Sequence, residues 1–138
     1  EYVDNWDTWG QDSIVHGTSD IAFSPSIIAN STIGYQPLKN LNISLITQYV
    51  GKQFIDNSSS NDRKLDAYFV NNMKVSYSIH PQFLKEICFN LLVSNLFNEN
   101  YESNAWVYSY IYEGTRYKMD GYFPQAGTNI LVGVDIKF

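Results

Sequence analysis

The sequence predicts an all-β chain of about five long antiparallel strands joined as a meander, and three observations predict it. Apolar and polar residues alternate in one run after another, the connections between runs alternate long and short, and no apolar run approaches the 18 or more residues of a spanning helix. The alternation is cleanest in residues 130–138. Ile130, Val132, Val134, Ile136 and Phe138 share one parity, and Leu131, Gly133, Asp135 and Lys137 share the other, so an extended chain acquires one wholly apolar face and one mostly polar face. Such a strand fits a transmembrane barrel, with lipid outside, a wet or plugged lumen inside and aromatic rings at the membrane borders. It also fits a half-buried edge strand of a soluble sheet.

Taken in order, residues 1–20 have no sustained period and are rich in Asp, Asn, Ser, Thr and Gly, so they are expected to form a long loop. Trp6 and Trp9 are unusual in that polar company. Two indoles there can stack on a planar ligand or pack the loop onto its neighbours. Residues 22–36 alternate, with Ile27, Ala29, Ser31, Ile33 and Tyr35 on the less polar side, and Pro25 sits near the start, where a missing ladder donor is tolerated. A short turn at 37–41 leads into a second strand over 42–54, with Ile43, Leu45, Thr47 and Tyr49 on one face. Residues 55–66 are polar and turn-prone. A third strand follows over 68–79, then a compact connection at 80–85.

Residues 84–95 match both a helical and a strand template. Phe89 and Val93 would fall on the wrong side of a helix, so a fourth strand is expected over 86–97. Residues 98–125 form a long aromatic excursion in which 105–112 have high strand propensity, and the fifth strand closes the chain over 126–138. Each of the five reaches the nine to eleven residues of a tilted membrane crossing.

Composition narrows the function classes. With 14 acidic against nine basic residues, the net charge is −5, and no Lys/Arg stripe exists to neutralise phosphates, which argues against nucleic acid. Tyrosine is abundant, at 11 residues, and charged residues are sparse at 17%. The lone Cys88 cannot form an internal disulfide. His16 and His80 fall at opposite strand ends, no Gly-x-Ser-x-Gly elbow exists, and no phosphate-binding glycine loop is present, so no enzyme activity and no cofactor are expected. Asp4, Asp7 and Asp12 with Asn5 miss the spacing of a calcium loop, which leaves a solvated acidic loop. The glycosylation-like triplets at Asn30, Asn42 and Asn57 are read as chance, two of them lying inside strands.

The wording of the chain, beyond its pattern, resembles the C-terminal part of TonB-dependent outer-membrane receptors. The resemblance spans nearly the whole chain. It is carried by Tyr49-Val50-Gly51-Lys52-Gln53-Phe54 with Asp56-Asn57, by Leu92-Val93-Ser94-Asn95-Leu96-Phe97-Asn98-Glu99-Asn100-Tyr101, and by residues 124–129 leading into the last strand. The Asn-Leu-Phe-Asn-x-x-Tyr element is the most specific. Where many members have Pro-Gly-Arg before that strand, this chain has Pro124-Gln125-Ala126-Gly127-Thr128-Asn129 and lacks the arginine.

The resemblance implies the C-terminal fragment of a 22-stranded transmembrane β-barrel in the bacterial outer membrane. The plug domain and the TonB-binding segment would lie outside these residues, as would any leader. Isolated, such a piece is expected to be an open curved sheet with two free edges. The implied function is TonB-dependent uptake of a scarce small-molecule or glycan ligand, such as an iron chelate or cobalamin. Implied partners are outer-membrane lipid, TonB through the plug, and the barrel assembly machinery, which would read Gly133, Val134, Ile136 and Phe138 as a closing signal. Loops 1–20, 55–66 and 98–125 would face outside. There Trp6, Trp9, Trp106, Tyr108 and Tyr110 would offer aromatic surface, with Asp7 and Arg116 orienting the ligand. The competing reading is a soluble β-sandwich, a lectin-like module using the same aromatic loops.

Overall fold

The structure, a computed structural model, describes residues 1–138 and is all-β, with no helix. No helix is therefore long and apolar enough to cross a membrane, which leaves strands unaddressed. Its strands are β1 (Tyr2–Asn5), β2 (Gly10–Ser13), β3 (Ile28–Leu38), β4 (Leu41–Val50), β5 (Gln53–Phe54), β6 (Lys64–Leu65), β7 (Tyr68–Ile79), β8 (Glu86–Ser94), β9 (Glu102–Tyr112), β10 (Thr115–Pro124) and β11 (Asn129–Lys137). They divide between two compact units. Unit 1 comprises Glu1–Ile27, Gly51–Ala67 and Tyr101–Gln125, and unit 2 comprises Ile28–Val50, Tyr68–Asn100 and Ala126–Phe138.

Unit 2 is one antiparallel sheet with the order β3-β4-β7-β8-β11, so the five long strands expected from alternation exist and neighbour one another in chain order. The register aligns their parities. Two adjacent rungs run across all five strands, Tyr35–Ile43–Val75–Leu91–Val132 and Ile33–Leu45–Met73–Val93–Ile130, and both are apolar throughout. The rung Leu41–Tyr77–Phe89–Val134 flanks them at the short-turn end. At the other end Tyr49 lies opposite Phe69. Between that pair and the apolar rungs, Ser31, Thr47 and Asn71 form a polar rung in which the Thr47 hydroxyl donates to Asn71 Oδ1 at 2.7 Å.

The opposite face of the sheet is mostly polar, although Ile46, Val70, Leu92 and Leu131 also lie on it, and it is knitted by side chains. Ser76 donates to Asn90 at 2.8 Å, Asn90 donates to Asp135 at 2.7 Å, and Ser78 donates to Glu86, which also pairs with Lys137. Cys88 lies on this face, opposite Asp135. Five strands at about 4.8 Å spacing and nine residues at about 3.3 Å rise outline an apolar face on the order of 700 Å². It is open: Val132 is 70% exposed, and every residue of β3 and β11 is exposed.

The sheet does not close, and no barrel is present; β3 and β11 each keep one unpaired edge. Pro37 sits in edge strand β3 beside a register irregularity between Tyr35 and Leu38, where a missing donor breaks no ladder. Several expected boundaries shift. The first strand begins at Ile28 instead of residue 22, the second ends at Val50 instead of 54, and the fourth ends at Ser94 instead of 97. In the last case Asn95 adopts φ 50°, a left-handed conformation that ends the strand.

Unit 1 corrects the expectation of loops over residues 1–20 and 55–66, and it agrees with the strand propensity of 105–112. Residues 1–20 contain the hairpin β1–β2, residues 55–66 contribute β6 to a pair with β5, and residues 102–124 form the long hairpin β9–β10. Strand β1 then adds in parallel to β9 at Asp4–Tyr110 and Asn5–Ile111, giving the order β10-β9-β1-β2. This sheet buries one face. Val3 and Leu65 are each 1% exposed, and Ile55, Leu65 and Ala105 pack together with Val107 against them.

Candidate functional site

The other face of the unit 1 sheet is aromatic, and its composition follows from parity. Trp106, Tyr108, Tyr110 and Tyr112 alternate along β9, and the hairpin register sets Tyr117 opposite Tyr110, Met119 opposite Tyr108 and Gly121 opposite Trp106. Because β1 adds with Asp4 beside Tyr110, Asp4 and Trp6 join the same face. The rings pack on one another. Trp6 stacks on Tyr110 with centroids 4.2 Å apart, Tyr110 stacks on Tyr117 at 5.4 Å, and Tyr112 meets Trp6 edge-on at 6.4 Å. Offset and edge-on pairs of this kind hold side chains rigidly while leaving ring surface at the solvent boundary. Trp106, Tyr112, Tyr117 and Met119 all remain exposed.

At one end of this face lies a hollow of about 470 Å³ lined by Asp4, Asn5, Trp6, Trp9, Gly10 and Tyr112. Trp9, at the tip of the β1–β2 hairpin, has φ 54° and is 93% exposed. Asp4 accepts from Gln11 at 2.9 Å and from the Tyr108 hydroxyl at 2.8 Å, and these two bonds hold its carboxyl below the usual range. The same bond to Asp4 raises the Tyr108 phenol. Asn5 is tied into the wall: one N–H of its Nδ2 donates to Asp12, and its Oδ1 accepts from the Asp7 and Thr8 backbone.

The expected ligand residues separate into two sets. Trp6, Trp106, Tyr108 and Tyr110 lie on one face, and Trp9 lines the hollow beside Trp6. Asp7 instead accepts from the backbone N–H groups of Glu113 and Gly114 at 2.8 and 2.9 Å, tying β1–β2 to the β9–β10 turn. Arg116 has the opposite parity and pairs with Glu1 on the core side, close to Ser109. Tyr112 was open to discovery by its parity with Tyr110. Asp4 and Tyr117 were not, since they reach the face only through pairings across the chain.

The core side is held by ions. Arg63 is 6% exposed and donates to Asp56 at 2.6 Å, to Ser109 at 2.8 Å and to Glu1 at 3.2 Å, while Glu1 also meets His16 at 2.7 Å. In unit 2, Val134 and Ile136 face Phe89 and Ile87 on the apolar side, Gly133 has open space where a Cβ would stand, and Phe138 is exposed. No three acidic, histidine or cysteine side chains gather as metal ligands. Comparison with protein-family models, with curated proteins and with solved structures gave no match to this chain.

Proposed function

We propose that this chain is the C-terminal part of the β-barrel of a TonB-dependent outer-membrane receptor, one that takes up a scarce ligand of the iron-chelate, cobalamin or glycan class. Unit 2 supplies wall strands, its apolar face meets acyl chains and its polar face meets the lumen. Unit 1 captures ligand outside through its aromatic face. TonB acts through a plug carried elsewhere in the protein, and the barrel assembly machinery reads Gly133, Val134, Ile136 and Phe138.

One observation carries this reading: the apolar rungs run unbroken across five strands of membrane-crossing length and remain open, in a unit with a single sheet. A soluble domain leaves patches of at most a few hundred Å² uncovered, and a sandwich covers such a face with a second sheet. The aromatic pairs Tyr77–Phe89 and Tyr49–Phe69 near the two ends of β7 add support, because membrane barrels place rings at both borders.

Cysteine scanning tests the reading in the full-length protein. In a Cys88→Ser background, single cysteines replace Ile43, Val75 and Val132 on one face or Ser44, Ser76 and Gly133 on the other, each labelled with an environment-sensitive fluorophore. Nitroxides dissolved in lipid should quench the first set and spare the second. Equal quenching of both sets, or a protein that purifies as a monodisperse monomer without detergent, would overturn the proposal in favour of the soluble module.

A further inference from the structure

We infer that the hollow between Trp6, Trp9 and Tyr112 binds an organic cation of the quaternary ammonium class, held by ring faces and the Asp4 carboxylate. The inference deepens the capture role proposed for unit 1 and rests on it for its biological meaning.

The chemistry of the lining selects the class. Two indoles and a phenol line an open hollow of about 470 Å³, space enough for a trimethylammonium head. Ring quadrupoles attract cations, most strongly when the cation is poorly hydrated, and tryptophan is the strongest of the aromatic partners. Asp4 is the sole charged residue in the lining. It keeps acceptor capacity after its bonds to Gln11 and Tyr108, since a carboxylate offers about four lone-pair sites.

A polyhydroxylated ligand fits less well. It needs donors and acceptors interleaved around it, and Asn5, the one amide in the wall, has its oxygen and an N–H already committed. A quaternary ammonium makes no directional hydrogen bonds and loses nothing there. An anion would face Asp4 with no Lys or Arg in the lining to offset it.

The surrounding charge agrees. Eleven of the 14 acidic residues but only five of the nine basic ones fall in unit 1, whereas unit 2 has three acidic and four basic residues. The negative balance of the chain therefore belongs to the unit that holds the hollow. A field of that sign concentrates cations and speeds their arrival.

The experiment uses the full-length protein in detergent with choline as probe, 3,3-dimethylbutanol as its neutral isostere and methyl glucoside as a sugar control, read by tryptophan emission and calorimetry. Choline should bind at least tenfold more tightly than the isostere, and its affinity should fall several-fold as salt rises. Trp9→Ala should weaken choline at least tenfold. Asp4→Asn should weaken choline several-fold while leaving the isostere unchanged, and near-ultraviolet dichroism confirms that both variants keep the aromatic stack. Equal affinity for choline and isostere, preference for the glucoside, or no binding of any probe would overturn the inference. Lipid quenching of unit 2 is scored separately, so a membrane-inserted protein that ignores choline fails here alone, and a detergent-free monomer that binds choline fails only the receptor reading.

Discussion

Arg63 does at the scale of one side chain what a larger core would do elsewhere in unit 1. Its guanidinium joins the turn at Asp56, the first residue and Ser109 of β9, three segments far apart in the chain. Arg63→Met should destabilise unit 1 by about 2–3 kcal/mol, below the full range for breaking a buried pair because both carboxylates keep some solvent. Arg63→Lys should recover little, since one ammonium cannot reproduce the forked geometry. The melting temperature followed in the near ultraviolet checks both.

Burial works against ionisation of Glu1 and Asp56, yet each is held below its usual range. For Glu1 the bond from His16 and the charges of Arg116 and Arg63 prevail, and for Asp56 the Ser58 and Arg63 bonds prevail. Carboxyls depressed by folding stabilise fully above the ordinary carboxylate range and lose that contribution as pH falls below about 4. Unit 1 should therefore melt at progressively lower temperature between pH 5 and roughly 2, with a smaller slope in Arg63→Met. Gly121 has a different constraint. A Cβ there would lie within 2.8 Å of Trp106 Cε2, so Gly121→Ala should swing the half-exposed indole outward, visible as a red shift in emission with about 1 kcal/mol of lost stability.

At the scale of elements, the turn after β8 fixes how the last strands meet. Asn95, 4% exposed, donates from Nδ2 to the carbonyls of Glu99 and Ala126, accepts the Glu99 N–H on Oδ1, and gives its own N–H to Asn72. Thr128 donates back to the Asn95 carbonyl, and Leu96 N–H reaches Asn71. Asparagine suits both demands, tolerating positive φ and supplying an amide that pairs twice. Asn95→Ala should cost about 3 kcal/mol, measured by denaturant unfolding of the full-length protein in detergent.

Strand β11 offers a sharper test, because Leu131 and Val132 are neighbours of similar exposure on opposite faces. In the membrane reading Val132→Lys should impair insertion by about 2–4 kcal/mol and Leu131→Lys should be tolerated. Equal effects of the two substitutions on membrane-assembled protein would contradict that reading.

For the whole molecule, the free edges of β3 and β11 matter most. Open ladders recruit further strands, and natural sheets cover, charge or close them. β11 bears Asp135 and Lys137 at its C-terminal end but nothing charged from Asn129 to Val134. In the proposed reading the remaining barrel strands complete both edges. Residues 1–138 expressed alone should accordingly self-associate, and sedimentation should find oligomers whose size depends on detergent. On the same reading, Phe138→Ala in the full-length protein should lower the amount of membrane-assembled protein several-fold without changing the sheet, because that ring is 83% exposed and outside the ladder.

The sequence by itself determined the strands of unit 2, to within a few residues at their ends, and which side of each is apolar. Side chains alternate with a period of two, so parity is written along the chain, and short turns at 39–40 and 80–85 pair β3 with β4 and β7 with β8, whereas the β4–β7 and β8–β11 pairs close across long excursions that no local signal fixes. Only the tertiary structure decided how unit 1 assembles, although the strand propensity of 105–112 is legible in the sequence. Its decisive contacts join Asp4 to Tyr110, Asp7 to Glu113 and Arg63 to Ser109, and its polar segments lack the alternation that would announce them. Pairings across such distances depend on what else must be buried, as Val3 and Leu65 are, and local pattern does not encode that choice.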